Sequence, residues 1–296
     1  MQDQAAKLRE LMSQKKTKSN IIKASASEPQ ARVICVTSGK GGVGKTNFTL
    51  NLAIALSKQN HRVMILDADL GLSNVDIVLG IVPRYTLLDV INGSKELKEV
   101  ITTGPNGVKF IAGGSGILEL IDMPEVKIHS LIEKLEEINK MADIILIDTG
   151  AGLSKSVMSF VMAADEVIIV ATPEPTSITD AYAMIKTIGI KEKGKRLKLL
   201  INRVENINEG RITFEKLKMA SEKFLNIHIE KLGFLTEDIS VSRSVKLQNP
   251  FILQYPNSSV SKNLETIALK LTNESYTEEK LVTQHGFFNK IVSLFR

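Results

Sequence analysis

One cysteine, Cys35, stands in 296 residues. A single thiol forms neither an intramolecular disulfide nor, by itself, an iron–sulfur site. Its setting, the apolar run Val33-Ile34-Cys35-Val36, predicts a buried core thiol. No apolar stretch is long enough to span a bilayer and no secretory signal is visible, so the expectation is a cytosolic protein. Charge of one sign does not dominate. A net charge of +5 permits contact with anionic membrane or nucleic acid without demanding either. No internal repeat is present. What is plentiful is apolar content, 43%, ample for the core of one large α/β domain or two small ones.

From Arg32 onward, apolar β-branched runs alternate with helical patterns. Strands are expected at 32–37, 62–67, 108–112, 144–148, 166–171, 197–202 and 229–234. Helices are expected at 45–59, 127–141, 154–163, 176–188, 210–225 and 259–272. Near-continuous apolar runs such as Ile144-Ile145-Leu146-Ile147 indicate strands covered on both faces. The fold class is therefore α/β, a mostly parallel central sheet with helices on both faces. Ligands bind such sheets at the carboxyl ends of the strands. Residues 1–12 form a short helical segment, with Ala5, Leu8, Leu11 and Met12 on one face. Residues 13–30 and 273–284, polar and poor in apolar side chains, read as linkers around a domain of residues 31–272.

The chemistry concentrates between Gly39 and Thr46. Gly39-Lys40-Gly41-Gly42-Val43-Gly44-Lys45-Thr46 satisfies the phosphate-loop pattern, between an apolar strand and a helix. Gly41, Gly42 and Gly44 let the backbone turn tightly and approach a ligand. Converging N–H groups and the positive helix end then attract phosphate. Lys45 is expected to reach the β- and γ-phosphates of ATP/ADP, and the Thr46 hydroxyl to coordinate Mg2+. The bland alternative, a glycine turn that binds nothing, is disfavoured by the agreement of strand, loop and helix.

Carboxylates complete the pattern. Asp67 and Asp69 follow the strand Val63-Met64-Ile65-Leu66, where an acidic pair suits metal and water handling. Helix capping is the alternative for this pair. Asp148 closes the apolar strand 144–147 and is expected to bind Mg2+ directly or through water. Asn202 follows another strand, and its amide both donates and accepts, as an adenine edge requires. No strong general base is evident.

On a helical wheel Phe287, Phe288, Ile291, Val292 and Phe295 form one apolar face, with Lys290 and Arg296 basic. Residues 285–296 fit a helix lying in an anionic membrane interface. The alternative is a last helix packed on the core.

The run Lys40 to Thr46 resembles the deviant phosphate loop of the MinD/ParA superfamily. In that family the first lysine, here Lys40, reaches across a dimer to the partner's nucleotide. The resemblance implies a slow, Mg2+-dependent ATPase that dimerises when ATP-bound. It gives Asp67 a role in the Mg2+ water shell and Asp69 the orientation of attacking water. Asn202 would then recognise the base, with Thr236 and Glu237 flanking it. Thr149-Gly150-Ala151-Gly152 stands where MinD has Ser-Pro-Ala-Gly, and Gly150 is expected to loosen that loop.

Asp3-Gln4-Ala5-Ala6-Lys7-Leu8-Arg9 resembles the D-Q-A-x-x-L-R motif of FlhG (also called FleN or YlxH). Residues 172–182 and 148–154 look like that family too. FlhG proteins are MinD-like ATPases of flagellar number control, and their N-terminal motif activates FlhF, a signal-recognition-particle-type GTPase. Gln4 is implied as the activating glutamine, with Leu8 and Leu11 docking and Arg9 adding a polar contact. Asp3 and Ala5 complete the motif. Flagellar C-ring proteins and the inner face of the cell membrane are further implied partners, while DNA is not expected. The alternatives are a functionless N-terminus, a MinD-type division-site ATPase, a ParA-type partition ATPase and a nucleotide-binding scaffold without turnover.

Overall fold

The computed structural model describes residues 30–69, 75–113, 134, 136–273, 287, 290, 291 and 294. The chain divides into residues 1–30 and 31–296. The N-terminal motif residues Asp3, Gln4, Ala5, Leu8 and Arg9 thus lie outside the described residues, as does 70–74 after Asp69.

Eight strands form one sheet: β1 (Arg32–Ser38), β2 (Val63–Ala68), β3 (Thr102–Thr103), β4 (Lys109–Ala112), β5 (Ile144–Ala151), β6 (Glu166–Ala171), β7 (Arg196–Val204) and β8 (Glu230–Thr236). Their order is β3-β4-β2-β5-β1-β6-β7-β8, parallel throughout except for the short antiparallel β3–β4 edge. The longer helices are α1 (Lys45–Lys58), α2 (Lys155–Ala163), α3 (Pro175–Lys191), α4 (Ile207–Leu225), α5 (Ile239–Lys246) and α6 (Ser259–Asn273).

Strand periodicity sorts the apolar side chains into two cores. Val33, Cys35, Ile145, Ile147, Val167 and Ile169 enter one, against α2, α3 and α4. Ile34, Val36, Ile144, Leu146, Ile168 and Val170 enter the other, against α1 and α6. Both faces of the sheet are covered, so the central strands carry no polar alternation. Cys35 is fully buried, and burial pushes its thiol far above the ordinary range.

The amino ends of the strands hold a buried charge cluster that the apolar pattern of β7 conceals. Lys198 is fully buried, 3.5 Å from Glu166 and 3.4 Å from Glu230. Arg32 donates twice to Glu166, at 2.7 and 2.8 Å. Burial would raise the Glu166 carboxyl, but the Arg32 hydrogen bonds and the charges of Arg32, Lys198 and Arg196 hold it below its usual range.

Several boundaries differ from the sequence expectation. α4 begins at Ile207, not 210, because Asn206 caps it, accepting from the Glu209 N–H at 3.0 Å. α5 was not expected. Its sequence, Ile-Ser-Val-Ser-Arg-Ser-Val-Lys, is mostly polar, and Asp238 caps it, accepting from the Ser240 N–H at 2.8 Å. Of the helix expected over 127–141, residues 138–141 are seen as helix and most of the rest lies outside the described residues.

Of the tail, residues 287, 290, 291 and 294 are described. Phe287 and Ile291 are buried in the core that holds α2, and Ser159 Oγ on α2 donates to the Leu294 carbonyl at 3.2 Å. At Phe287 and Ile291 the contacts are those of the packed alternative. The physical reason is that the same stripe that suits acyl chains also suits an apolar seat on the domain. Burial raises the Asp165 carboxyl above its usual range, opposed by the hydrogen bond from the Val33 N–H and by the nearby charge of Lys290. Phe288, Val292 and Phe295 lie outside the described side chains. Among the described residues no helix is long and apolar enough to cross a membrane.

Candidate phosphate-loop site

β1 is central, flanked by β5 and β6, and the chain leaves its carboxyl end directly into the glycine loop. Gly42 and Gly44 adopt positive φ, 74° and 94°, which L side chains rarely tolerate. Gly39 is required for a different reason: a Cβ there would sit 2.3 Å from the Asp180 carbonyl oxygen on α3. The loop feeds α1, whose first turn carries no acidic residue. Its leading N–H groups lack intrahelical partners by construction and face the anion position. A Cβ on Gly41 would meet Ala151 at ordinary van der Waals distance, and Val43 is buried.

Lys45 is buried, and its Nζ donates to Ser38 Oγ at 2.8 Å. Burial lowers its pKa, opposed by the charges of Asp148 and Asp69. Asp67 and Asp148 are register partners on β2 and β5. Asp148 is fully buried and accepts from Thr46 Oγ1 at 2.6 Å and from Thr49 Oγ1 at 3.2 Å. Its pKa is raised to about 7, chiefly by burial. The Thr46 hydrogen bond works against that rise, and the charge of Asp67 adds to it. Asp67 accepts from the Asp69 and Val75 N–H groups, at 3.1 and 3.3 Å. The Asp69 carboxylate comes so near β5 that a Cβ on Gly150 would lie 3.3 Å from its Oδ1.

Thr149, Gly150 and Ala151 are not a loose loop. They extend β5, Thr149 Oγ1 donates to the Val36 carbonyl, and the Gly152 N–H donates to the Ser38 carbonyl. Gly150 serves close approach here, not flexibility.

Lys40 points to α3: its Nζ donates to Glu174 Oε2 at 2.6 Å and to Thr176 Oγ1 at 2.9 Å. Asn202 Nδ2 donates to the Val43 carbonyl at 2.7 Å, and its Oδ1 accepts from the Arg203 N–H at 2.9 Å. The amide nitrogen thus braces the loop, while the amide oxygen closes onto its own neighbour on β7, and donation from that nitrogen to a base requires it to leave Val43. Thr236 ends β8 with its Oγ1 buried and unpartnered, and the Glu237 N–H is taken by Val204.

Thus Lys45, Thr46, Asp67, Asp69 and Asp148 converge, with Asn202 against the loop. Ser38 and Thr49 join them without having been singled out in the sequence, though Thr49 lies one helical turn beyond Thr46. Glu174 and Thr176, within the family-like stretch 172–182, hold Lys40. Among the described residues no group of three or more His, Cys, Asp or Glu side chains is arranged to hold a metal alone. Mg2+ suits such a place, because it keeps several waters and binds through one or two carboxylates plus substrate phosphates. A buried carboxylate raised to about 7 and hydrogen-bonded by Thr46 fits that donor set.

A family model described as an AAA domain matches residues 31–201. The chain is 41% identical over 250 residues to the antiactivator FleN of Pseudomonas aeruginosa, covering 84% of this chain and 89% of FleN. It is 34% identical to the flagellum site-determining protein YlxH of Helicobacter pylori, covering 99% of each. Among solved structures it is similar to the septum site-determining protein MinD of Pyrococcus horikoshii complexed with Mg-ADP. That match has a TM-score of 0.67 and 26% identity, covering 82% of this chain and 96% of that one. The chain belongs to the FlhG/FleN/YlxH family of flagellar regulators, MinD-like ATPases built on the phosphate-loop fold.

Proposed function

We propose that the protein is an ATP-driven dimerisation switch that sets flagellar number and placement. It hydrolyses ATP slowly, with Mg2+, and only as a dimer. Its N-terminal segment, with Gln4, activates an FlhF-type GTPase, and its C-terminal helix meets anionic membrane when ATP is bound. The observation that carries the reading is the Thr46–Asp148 pair beneath a glycine loop that also contains Lys40.

In this reading Lys45 and the loop N–H groups bind and orient the phosphates. Thr46 and Asp148 would hold Mg2+, and Asp67 would act on it through water. Asp69 orients the attacking water beside Gly150. Catalysis is then positioning plus charge stabilisation, as phosphoryl transfer requires. Lys40 extends to the partner's nucleotide, so turnover depends on protein concentration. Mg2+, when bound, neutralises charge developing on the phosphate oxygens.

The test is phosphate release across protein concentration for wild type, Asp69→Ala and Lys40→Ala. Wild type should show specific activity that rises with concentration. Asp69→Ala should dimerise with ATP but release no phosphate. Lys40→Ala should lose the concentration dependence. Full activity in Asp69→Ala would refute its water-orienting role. A peptide of residues 1–23 should stimulate an FlhF-type GTPase, and failure to do so would remove that partner.

A further inference from the structure

Lys40 is the loop residue whose side chain leaves the nucleotide site. Its ammonium is held by two groups of α3: the carboxylate of Glu174, which precedes the helix, and the hydroxyl of Thr176 in its first turn. The attraction is mutual, since the Lys40 hydrogen bond and charge hold the Glu174 carboxyl below its usual range. Gly39 locks the adjoining backbone against Asp180 of the same helix, so the dock and the loop are parts of one unit. A lysine held by its own chain cannot simultaneously reach a second copy.

We propose that Glu174 and Thr176 form a resting dock for Lys40 that opposes dimerisation and so sets the protein concentration at which ATP brings two copies together. The proposal rests on the cross-dimer reading of Lys40.

The pair is half exposed, with 37% of the Lys40 side chain and 55% of the Glu174 side chain accessible. An ion pair of that exposure biases an equilibrium by about two- to fivefold. Each dimer must open two docks, one per protomer, so the factor is squared. Removing the dock should tighten the dimer by roughly four- to twenty-five-fold. Glu174→Gln keeps the side-chain size and removes the charge. Thr176→Val should act in the same direction, more weakly.

The experiment is sedimentation velocity of the full chain with Mg2+ and a non-hydrolysable ATP analogue, for wild type, Glu174→Gln, Lys40→Ala and the double variant. The dock predicts a tighter dimer in Glu174→Gln, a weaker one in Lys40→Ala, and no difference between Lys40→Ala and the double variant. A role of Glu174 confined to starting α3 would shift both backgrounds equally and overturn the proposal. So would an unchanged or weaker dimer in Glu174→Gln while Lys40→Ala is impaired; that outcome leaves the cross-dimer reading standing. Lys40→Ala dimerising like wild type would instead remove the cross-dimer reading, and the proposal with it.

Discussion

Thr46 and Asp148, 102 positions apart, share a hydrogen bond of 2.6 Å from the threonine Oγ1 to the carboxylate Oδ2. It joins the first turn of α1 to the carboxyl half of β5. The carboxylate is costly in place: wholly buried, it is raised to about 7 from an ordinary value of 3.8. A position kept ionisable at that cost is one where charge is needed when ligand arrives.

Asp148→Asn should therefore stabilise the nucleotide-free protein and abolish tight Mg2+-nucleotide binding together. The sign follows from linkage. Between pH 3.8 and about 7 the native state retains a proton that the unfolded chain has lost. Wild-type stability thus falls as pH rises through that window. Asparagine cannot ionise, so its advantage is absent below pH about 4 and complete above pH about 7. Its ceiling is on the order of 4 kcal/mol. Urea unfolding at pH 4 and pH 8, with nucleotide titration at pH 8, reads both effects. A wild-type-to-variant gap that is equal at the two pH values would mean that Asp148 carries no such burden.

At the opposite end of the sheet the balance reverses. Glu166→Gln would leave Lys198 buried with a weakened partner set, which should cost about 3–5 kcal/mol. Glu166 is held below its usual range by Arg32, Lys198 and Arg196 acting against burial. Its contribution is then present above pH about 4.5, the ordinary glutamate value, and disappears as pH falls through its lower folded pKa. The gap between wild type and variant in denaturant midpoint should close in acid. A gap that persists unchanged at pH 3 would assign the loss to packing instead.

These two ends were not equally legible in sequence. The glycine loop, Asp67 and Asp148 stood out because phosphate chemistry demands residue types at fixed spacing. The sheet stood out because two-sided burial leaves uninterrupted apolar runs. Lys198 was hidden, since one lysine in Arg-Leu-Lys-Leu-Leu-Ile reads as a strand edge until Glu166 and Glu230 are placed beside it. The partners of Lys40 were hidden likewise: Glu174 lies 134 residues away. α5 was missed because it is short and mostly polar, with its start marked by the Asp238 cap alone.

Gly150 supplies a test of close approach. A methyl group there would lie 3.3 Å from Asp69 Oδ1, so the carboxylate must retreat by a few tenths of an ångström. Small misplacements of a water-orienting group cost rate more than binding. Gly150→Ala should lower kcat roughly three- to tenfold with KM nearly constant. Single-turnover phosphate release separates the two. A fall in nucleotide affinity with kcat intact would place the damage in the loop and not at Asp69.

The buried Phe287 and Ile291 set the domain core against the proposed lipid contact. Phe287 and Ile291 are buried on the domain, so these two side chains must leave it before they can take part in the membrane contact proposed above. Mutating the tail itself would weaken both destinations and decide nothing. The seat offers the cleaner change. Ser159 Oγ donates to the Leu294 carbonyl at 3.2 Å while also bonding Lys155 of its own helix, so Ser159→Ala removes a tail contact without altering the tail. A hydrogen bond of this kind is worth about 1 kcal/mol, close to fivefold in the docking equilibrium. Nucleotide-free flotation with anionic vesicles should therefore rise about two- to fivefold in Ser159→Ala. The same substitution should leave a chain ending at Lys280 unable to float. Flotation of that shortened chain at the wild-type level would move the lipid contact off the tail. An unchanged Ser159→Ala, with the shortened chain inactive, would mean that docking does not hold the tail back.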